Sequence, residues 1–207
     1  MEEYHLIDIH THGETAEGVI TPRSFAIHPF DADKELSKNF QQFSDRYLAK
    51  FKEVQTIGEC GLDKVCSSDW HRQLELFDWH LQIAEQLQKT VIIHCVRAID
   101  VLLSFRKTYA STPWVFHGFT GSLSTAEQLT KANIFPSFGA AIIDNRRIKV
   151  RDTLARLQQP FFLETDTSSI AIEKIYQETA DLRKTTIPEL ISTINKFYNS
   201  LFESANK

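Results

Sequence analysis

The sequence predicts an α/β fold, specifically a compact and somewhat trimmed (β/α)8 TIM-type barrel. Short, nearly continuous apolar runs recur along the chain, and stretches with helical spacing separate them. Such runs are typical of strands buried on both faces, and their alternation with helices indicates parallel βαβ units. Few residues separate the first two runs, which favours a compact barrel over the alternative, an open doubly wound sheet.

Eight apolar runs are the candidate strands, and the second of them is the weakest. In chain order they are Tyr4–Ile9, Val19–Ile20, Phe25–Ile27, Val54–Ile57, Val91–Ile93, Trp114–Phe116, Ile134–Phe138 and Phe161–Leu163.

Apolar residues repeating about every 3.6 positions predict the helices between these strands. Two such faces comprise Leu36, Phe40, Phe43, Tyr47, Leu48 and Phe51, and then Leu74, Phe77, Leu81, Ala84 and Leu87. We expect His71 and His80 on or beside an exposed face of the second helix. Ser124–Glu127 is read as a capping box that opens a further helix. Pro188, in a first-turn position, starts a last helix that runs through Leu201.

Length and composition indicate one domain over residues 1–207. The chain has 42% hydrophobic residues, 24% charged residues and a formal net charge of −4, so no basic surface for nucleic acid is evident. No apolar run is long enough to cross a bilayer, and the first residues lack the pattern of a signal peptide. The three cysteines form no C-x-x-C motif or disulfide framework. We therefore expect a cytoplasmic protein without membrane association.

Potential metal ligands follow five of the candidate strands. They are His10 and His12, Glu59, His94, His117 and Asp166. In barrels and open α/β sheets the carboxyl ends of the strands meet on one face, where active sites are built. Imidazole and carboxylate groups are ligands of zinc, manganese and related divalent ions. The sequence therefore predicts a metal site at these strand ends.

The number and spacing of the ligands favour two ions. His10 and His12 point to the same side of an extended chain, so both can reach one ion. Six ligands exceed the need of one tetrahedral ion, and two ions can clamp a nucleophile and a phosphoryl or carbonyl oxygen. We expect His10, His12 and Asp166 on one ion, His94 and His117 on the other, and Glu59 bridging them. Zn, Mn and Mg all remain candidates.

Several segments resemble the TatD family of metal-dependent deoxyribonucleases, within the amidohydrolase superfamily. The matching segments are, in order, Leu6–His12, Ala26–Pro29, Ile57–Asp63, Ile92–Cys95, Phe116–Ser122 and Leu163–Asp166. The resemblance covers about residues 4 to 169 and implies a (β/α)8-type barrel. It also implies metal ligation by the six residues above and hydrolysis of phosphodiesters, typically exonucleolytic on DNA.

The chain departs from the family pattern around the substrate cleft. Arg97 stands one residue later than the arginine of the usual H-S-R segment, and Thr167–Ser169 replaces the usual continuation after Leu-Glu-Thr-Asp. The R-x-x-N-E-P segment is absent. We expect Arg97, His28 and Ser122 to contact substrate, with a structural or outer-shell role for His28 as the alternative.

The leading hypothesis is a divalent-metal-dependent phosphodiesterase or deoxyribonuclease that uses a metal-activated water. Asp166 and Glu59 are the candidate catalytic residues, with Asp166 as ligand and proton acceptor. DNA or a small phosphodiester is the expected substrate, and the oligomeric state is left open. One alternative is a hydrolase of a small ester, lactone or amide. Another is a metal-stabilised barrel without catalytic turnover.

Overall fold

The computed structural model describes residues 4–36 and 40–202, with only the backbone of residues 40–46. Met1, Glu2 and Glu3, used above to judge the amino terminus, lie outside the described residues. Phe40 and Phe43, assigned above to a helix face, lie where only the backbone is described.

Eight short strands are present in the described part of the chain, one at each predicted run. Their bounds are β1 Leu6–Ile7, β2 Val19–Ile20, β3 Ser24–Phe25, β4 Thr56–Asp63, β5 Thr90–Val96, β6 Trp114–Phe116, β7 Ile134–Phe138 and β8 Phe162–Leu163.

Helices connect most of these strands. Their bounds are α1 Ala32–Glu35, α2 Phe40–Glu53, α3 Trp70–Leu87, α4 Ile99–Thr108, α5 Leu123–Lys131, α6 Ile148–Arg156, α7 Ile172–Arg183 and α8 Ile187–Phe202. Short 3-10 turns cover Pro29–Asp31 and Ala140–Ile143. Alternation of helices with parallel strands confirms the α/β class.

The described residues form two compact units. The terminal unit contains the residues up to Thr21 and from Val115 onward, and the middle unit contains Pro22–Trp114. That the whole chain is one domain stays a prediction. No helix in the described parts of the chain has the length and apolar character needed to cross a membrane.

In the terminal unit, the first strand lies between two parallel neighbours. β1 pairs with β2, and beyond its end the backbone continues beside β8. Ile9 N–H donates to Leu163 O at 3.0 Å, and Asp166 N–H donates to His10 O at 3.0 Å. β8 in turn pairs in parallel with β7. The segments that follow β1 and β8 are therefore held side by side.

In the middle unit, β3, β4 and β5 lie in that order and are all parallel. β4 and β5 run further than the sequence predicted, so Glu59 and His94 lie within strands rather than after their ends. The β4–β5 register shifts between Ile57 and Cys60. A Cβ on Gly58 would stand 2.5 Å from the Ile92 Cβ, so glycine permits the close approach of β5 here.

One helix boundary and one helix face test the sequence patterns. α5 begins two residues earlier than expected, because the Ser122 side chain accepts from Thr125 N–H at 3.3 Å and caps the helix. The predicted capping residue, Ser124, lies inside the helix. The apolar face of α8 is buried as predicted, at Leu190, Ile194 and Tyr198.

Candidate metal centre

The terminal unit gathers His10, His12 and Asp166 into one group. Their potential ligand atoms all lie within 4.8 Å of one another. His10 Nε2 lies 3.9 Å and His12 Nε2 3.6 Å from Asp166 Oδ1. A parallel backbone bridge between Thr11 and Asp166 fixes this arrangement. Asp166 adopts a left-handed backbone conformation with φ of 52°, which aspartate tolerates better than most residues.

Asp8 and Thr165 form hydrogen bonds beside this group. Asp8 is buried, and its carboxylate accepts from Thr165 N–H at 3.0 Å and from Thr165 Oγ1 at 2.6 Å. Burial raises the pKa of Asp8 above its usual value, although these hydrogen bonds act in the opposite direction. Thr165 Oγ1 also lies 2.8 Å from Thr11 Oγ1. The residues that flank His10 and Asp166 are thus connected by side chains as well as by backbone.

His117 and Glu164 form a second pair in the terminal unit. His117 Nδ1 lies 3.6 Å from Glu164 Oε1, and the His117 ring contacts the His10 ring edge-on at 4.9 Å. Glu164 is fully buried and accepts from Gly118 N–H. Burial alone would raise the pKa of Glu164, but interactions with His117, Ser137 and His10 together hold the pKa below its usual value. Glu164 therefore serves as an ionised partner that orients His117.

The middle unit gathers His28, Glu59 and His94. Glu59 Oε1 lies 2.8 Å from His94 Nδ1 and 3.3 Å from His28 Nε2, and the Glu59 side chain is 6% exposed. The ligand atoms of this group also lie within 4.8 Å of one another. His28 was expected to contact substrate or to support a ligand, and its contact with Glu59 brings it among the candidate ligands themselves.

Asp63 contacts the ring nitrogen of His94 that does not face Glu59. His94 Nε2 lies 3.0 Å from Asp63 Oδ2, while Asp63 Oδ1 accepts from Val65 N–H at 2.7 Å and Cys66 N–H at 3.1 Å. Burial raises the pKa of Asp63, but His94 and the two backbone donors together lower it below its usual value. An ionised Asp63 that accepts from Nε2–H would leave the Nδ1 lone pair of a neutral His94 available to a cation shared with Glu59.

His80 positions the segment that carries His28, and its expected exposure is wrong. The His80 ring is completely buried, with Nδ1 2.8 Å from Leu76 O, and Nε2 accepts from Ile27 N–H at 3.1 Å. Burial lowers the pKa of His80 to about 3, so the ring is neutral. His71 is exposed, as expected.

Arg97 and Ser122, the other expected substrate contacts, occupy different surroundings. Arg97 is exposed just beyond β5 and has a left-handed backbone with φ of 54°. The Ser122 hydroxyl is engaged at the start of α5, within 3.0 Å of Ser124 Oγ and Thr125 Oγ1. Their roles toward substrate stay predictions.

The donor chemistry of both groups fits a divalent cation. Each group combines two imidazoles with one carboxylate, a set that suits zinc and other first-row divalent ions. Around His94, two carboxylates face a single imidazole, and such a concentration of negative charge attracts a cation. The structure thus brings His10, His12 and Asp166 into one of these groups, and Glu59 and His94 into the other together with His28.

Sequence reasoning missed several residues that orient these ligands. Asp63 contacts His94 and Glu164 contacts His117. Asp8 contacts Thr165, the residue before Asp166. Asp8 and Glu164 stand two residues before His10 and Asp166, where strand alternation places them on the same side as the ligand. That spacing was available in the sequence. The Asp63–His94 contact was not, because 31 positions separate the two residues.

Comparison with known proteins supports this description. The profile of the family described as TatD related DNase matches residues 10–203. The metal-dependent hydrolase YjjV of Escherichia coli K12, itself uncharacterized, is 29% identical over 152 residues, which cover 72% of this chain and 59% of YjjV. The 3'-5' ssDNA/RNA exonuclease TatD of Erwinia billingiae is 32% identical over 150 residues, which cover 68% of this chain and 55% of that protein. The chain thus spans less than three fifths of the length of either relative.

A solved structure shows the same fold. The crystal structure of YjjV from Escherichia coli K12 has a TM-score of 0.74 and 24% identity, covering 91% of this chain and 78% of YjjV. This match confirms the predicted trimmed (β/α)8-type barrel. With the profile match extending over nearly the whole sequence, the chain belongs to the TatD-related DNase family.

Proposed function

We propose that this chain is a divalent-metal-dependent hydrolase that cleaves phosphodiester bonds of single-stranded DNA or RNA. The observation that carries the proposal is the close grouping of His10, His12 and Asp166 on adjacent, backbone-bonded segments. Family membership supports it, and relatives at 27–32% identity are named 3'-5' ssDNA/RNA exonuclease or RNA nuclease.

The proposed metal complement is two ions, one held by each donor group. His10, His12 and Asp166 hold one, and His28, Glu59 and His94 hold the other, with Zn, Mn and Mg as candidates. A bound divalent ion lowers the pKa of a bound water and stabilises negative charge on a phosphoryl oxygen. The original assignment of His117 to an ion and of Glu59 as a bridge stays a prediction.

The protein residues then have separate tasks. Asp166 is 33% exposed, so its carboxylate is accessible to water and suits the role of ligand and proton acceptor. Glu59 is almost buried and contacts two imidazoles, which suits a ligand rather than a group that exchanges protons with solvent. Arg97 is exposed and carries the positive charge that a phosphate would require.

The proposal is tested with metal-stripped protein and a single-stranded oligonucleotide labelled at either end. Cleavage is followed without metal and with added Mg²⁺, Mn²⁺ or Zn²⁺. We expect metal-dependent shortening from one end, which also reveals the polarity. Glu59→Gln should reduce the rate at least about 100-fold, because it removes a charged ligand. Glu75→Gln, an exposed change of the same kind on α3, serves as the control and should cleave normally.

Two outcomes would overturn the proposal. One is the absence of cleavage with every metal by protein that binds the metal. The other is equal cleavage by the parent and by Glu59→Gln, which would indicate a contaminating nuclease. Hydrolysis of carboxylic esters or amides under the same conditions, without phosphodiester cleavage, would move the assignment to that class of substrate.

A further inference from the structure

An exposed aromatic ring lies beside the donor group of the middle unit. Four large hydrophobic side chains are exposed among the described residues, namely Tyr4, Phe30, Val65 and Ile148. Phe30 is 57% exposed and Val65 61%. Phe30 follows β3 and Val65 follows β4, so both belong to loops at the end of the middle unit that carries Glu59 and His94.

The Phe30 ring contacts two of the candidate ligands directly. Its centroid lies 4.2 Å from the His28 ring and 5.8 Å from the His94 ring, and both contacts are edge-to-face. A single exposed aromatic residue on a protein surface needs no explanation. A ring that touches two imidazoles of a metal-binding type, while more than half of it remains exposed, occupies a position where it can also contact a substrate.

Both backbone polar groups of Phe30 are hydrogen-bonded to side chains. His28 Nδ1 accepts from Phe30 N–H at 3.3 Å, and Ser68 Oγ donates to Phe30 O at 2.7 Å. Pro29 fixes the first position of the 3-10 turn. The ring is therefore presented from a constrained backbone, which lowers the entropy lost when a ligand packs against it.

We propose that Phe30 is a stacking residue for an unpaired nucleobase of the substrate, an inference that rests on the proposed function. A base is joined to its phosphate through one sugar, so a phosphate bound at His28, Glu59 and His94 brings an adjacent base within reach of Phe30. Stacking on an aromatic ring is tolerant of sequence because every base has a π-face. A paired base has both faces covered by its neighbours, so this contact favours single strands.

The test compares Phe30→Ala and Phe30→Trp with the parent on two single-stranded oligonucleotides. One has ordinary bases throughout, and the other has abasic residues at the cleaved end. We expect Phe30→Ala to lower kcat/KM by roughly tenfold on the first, from the usual contribution of one stacked base, and to leave the second unchanged. Phe30→Trp should retain or exceed the parent's value. Tyr4→Ala, which removes an exposed ring before β1, is the matched control and should behave as the parent.

A binding measurement separates failure of this proposal from failure of the proposed function. In the His12→Ala background, which removes a candidate ligand of the terminal unit but leaves His28, Glu59 and His94 intact, fluorescence anisotropy of the labelled oligonucleotides reports affinity with turnover reduced. A weaker Kd for Phe30→Ala, confined to the base-containing strand, supports stacking even if the parent cleaves nothing. Equal losses on both strands would overturn stacking and show instead that the ring supports His28 and His94. No loss on either strand would also overturn it.

Discussion

The Asp63 carboxylate lies on the side of the His94 imidazole opposite Glu59, with Asp63 Oδ2 3.0 Å from His94 Nε2. This contact determines which ring nitrogen is left to face Glu59. It is reinforced by Gln73, whose Oε1 accepts from Asp63 N–H at 2.8 Å and whose Nε2 donates to Asp63 O at 3.1 Å. Asp63 on β4 thus orients a candidate ligand on the neighbouring strand β5.

The first prediction concerns this orientation. Asp63→Asn keeps the shape of the side chain but removes its charge and replaces one of its two acceptor oxygens by an NH2 donor, so His94 loses its ionised partner. We expect the affinity of the middle unit's group for a divalent ion to fall by roughly 10- to 100-fold. Calorimetric titration of metal-stripped protein measures it. Asp100→Asn, which changes an exposed carboxylate on α4, is the control, and equal affinities in the two variants would show that Asp63 does not orient His94.

A second prediction concerns Thr165 in the terminal unit. Thr165→Val preserves the side-chain shape but removes the hydroxyl bonded to the buried Asp8 carboxylate. We expect the free energy of unfolding to fall by about 1–2 kcal/mol, because a buried polar group loses a hydrogen bond. Urea denaturation measures the change. Thr165→Ser keeps the hydroxyl and should recover most of the loss. If valine and serine destabilise equally, the Asp8 contact contributes nothing.

A third prediction concerns stability in acid. Burial holds the pKa of His80 at about 3, below its ordinary value of 6.5. Between these two pKa values the unfolded state binds a proton at His80 that the folded state does not bind. The contribution of His80 to the free energy of unfolding is therefore complete above pH 6.5 and declines as the pH falls toward 3. Between these two pH values the free energy of unfolding should fall by roughly 1.4 kcal/mol for each pH unit.

His80→Gln should show a shallower loss of stability between pH 6.5 and 5 than the parent does, since glutamine does not titrate. Urea denaturation at intervals across this range provides the comparison. His71→Gln removes an exposed histidine from the same helix and should follow the parent's curve. A parent curve that coincides with that of His80→Gln would mean that His80 is protonated in the folded protein.

Strand positions and most candidate ligands could be predicted from sequence because both depend on local patterns. Continuous apolar runs mark strands buried on both faces, and the residues after them meet at one end. That reasoning found His10, His12 and Asp166, which the structure brings together. It underestimated the carboxyl-terminal extent of β4, because Gly58 and Gly61 break the apolar run while allowing β5 to approach closely.

His80 shows how a local pattern was misread. It stands three residues after Phe77 and four before Ala84, on the helix face that both residues bury. A polar residue type suggested exposure, but burial is possible because Leu76 O and Ile27 N–H satisfy both ring nitrogens. His28 was harder to assign, because its role depends on Glu59 on the neighbouring strand, a tertiary contact that spacing along the chain does not encode.

The two metal groups are tested most directly by a calorimetric titration of metal-stripped protein with Mn²⁺ or Zn²⁺, which measures the number of ions bound and the heat of binding. We expect two ions per chain, of which His12→Ala removes one and His94→Ala removes the other. Each variant should still bind one ion per chain through the group whose ligands are unchanged. Retention of both ions by both variants, or no binding by the folded parent protein, would contradict the assignment of these two groups as metal sites.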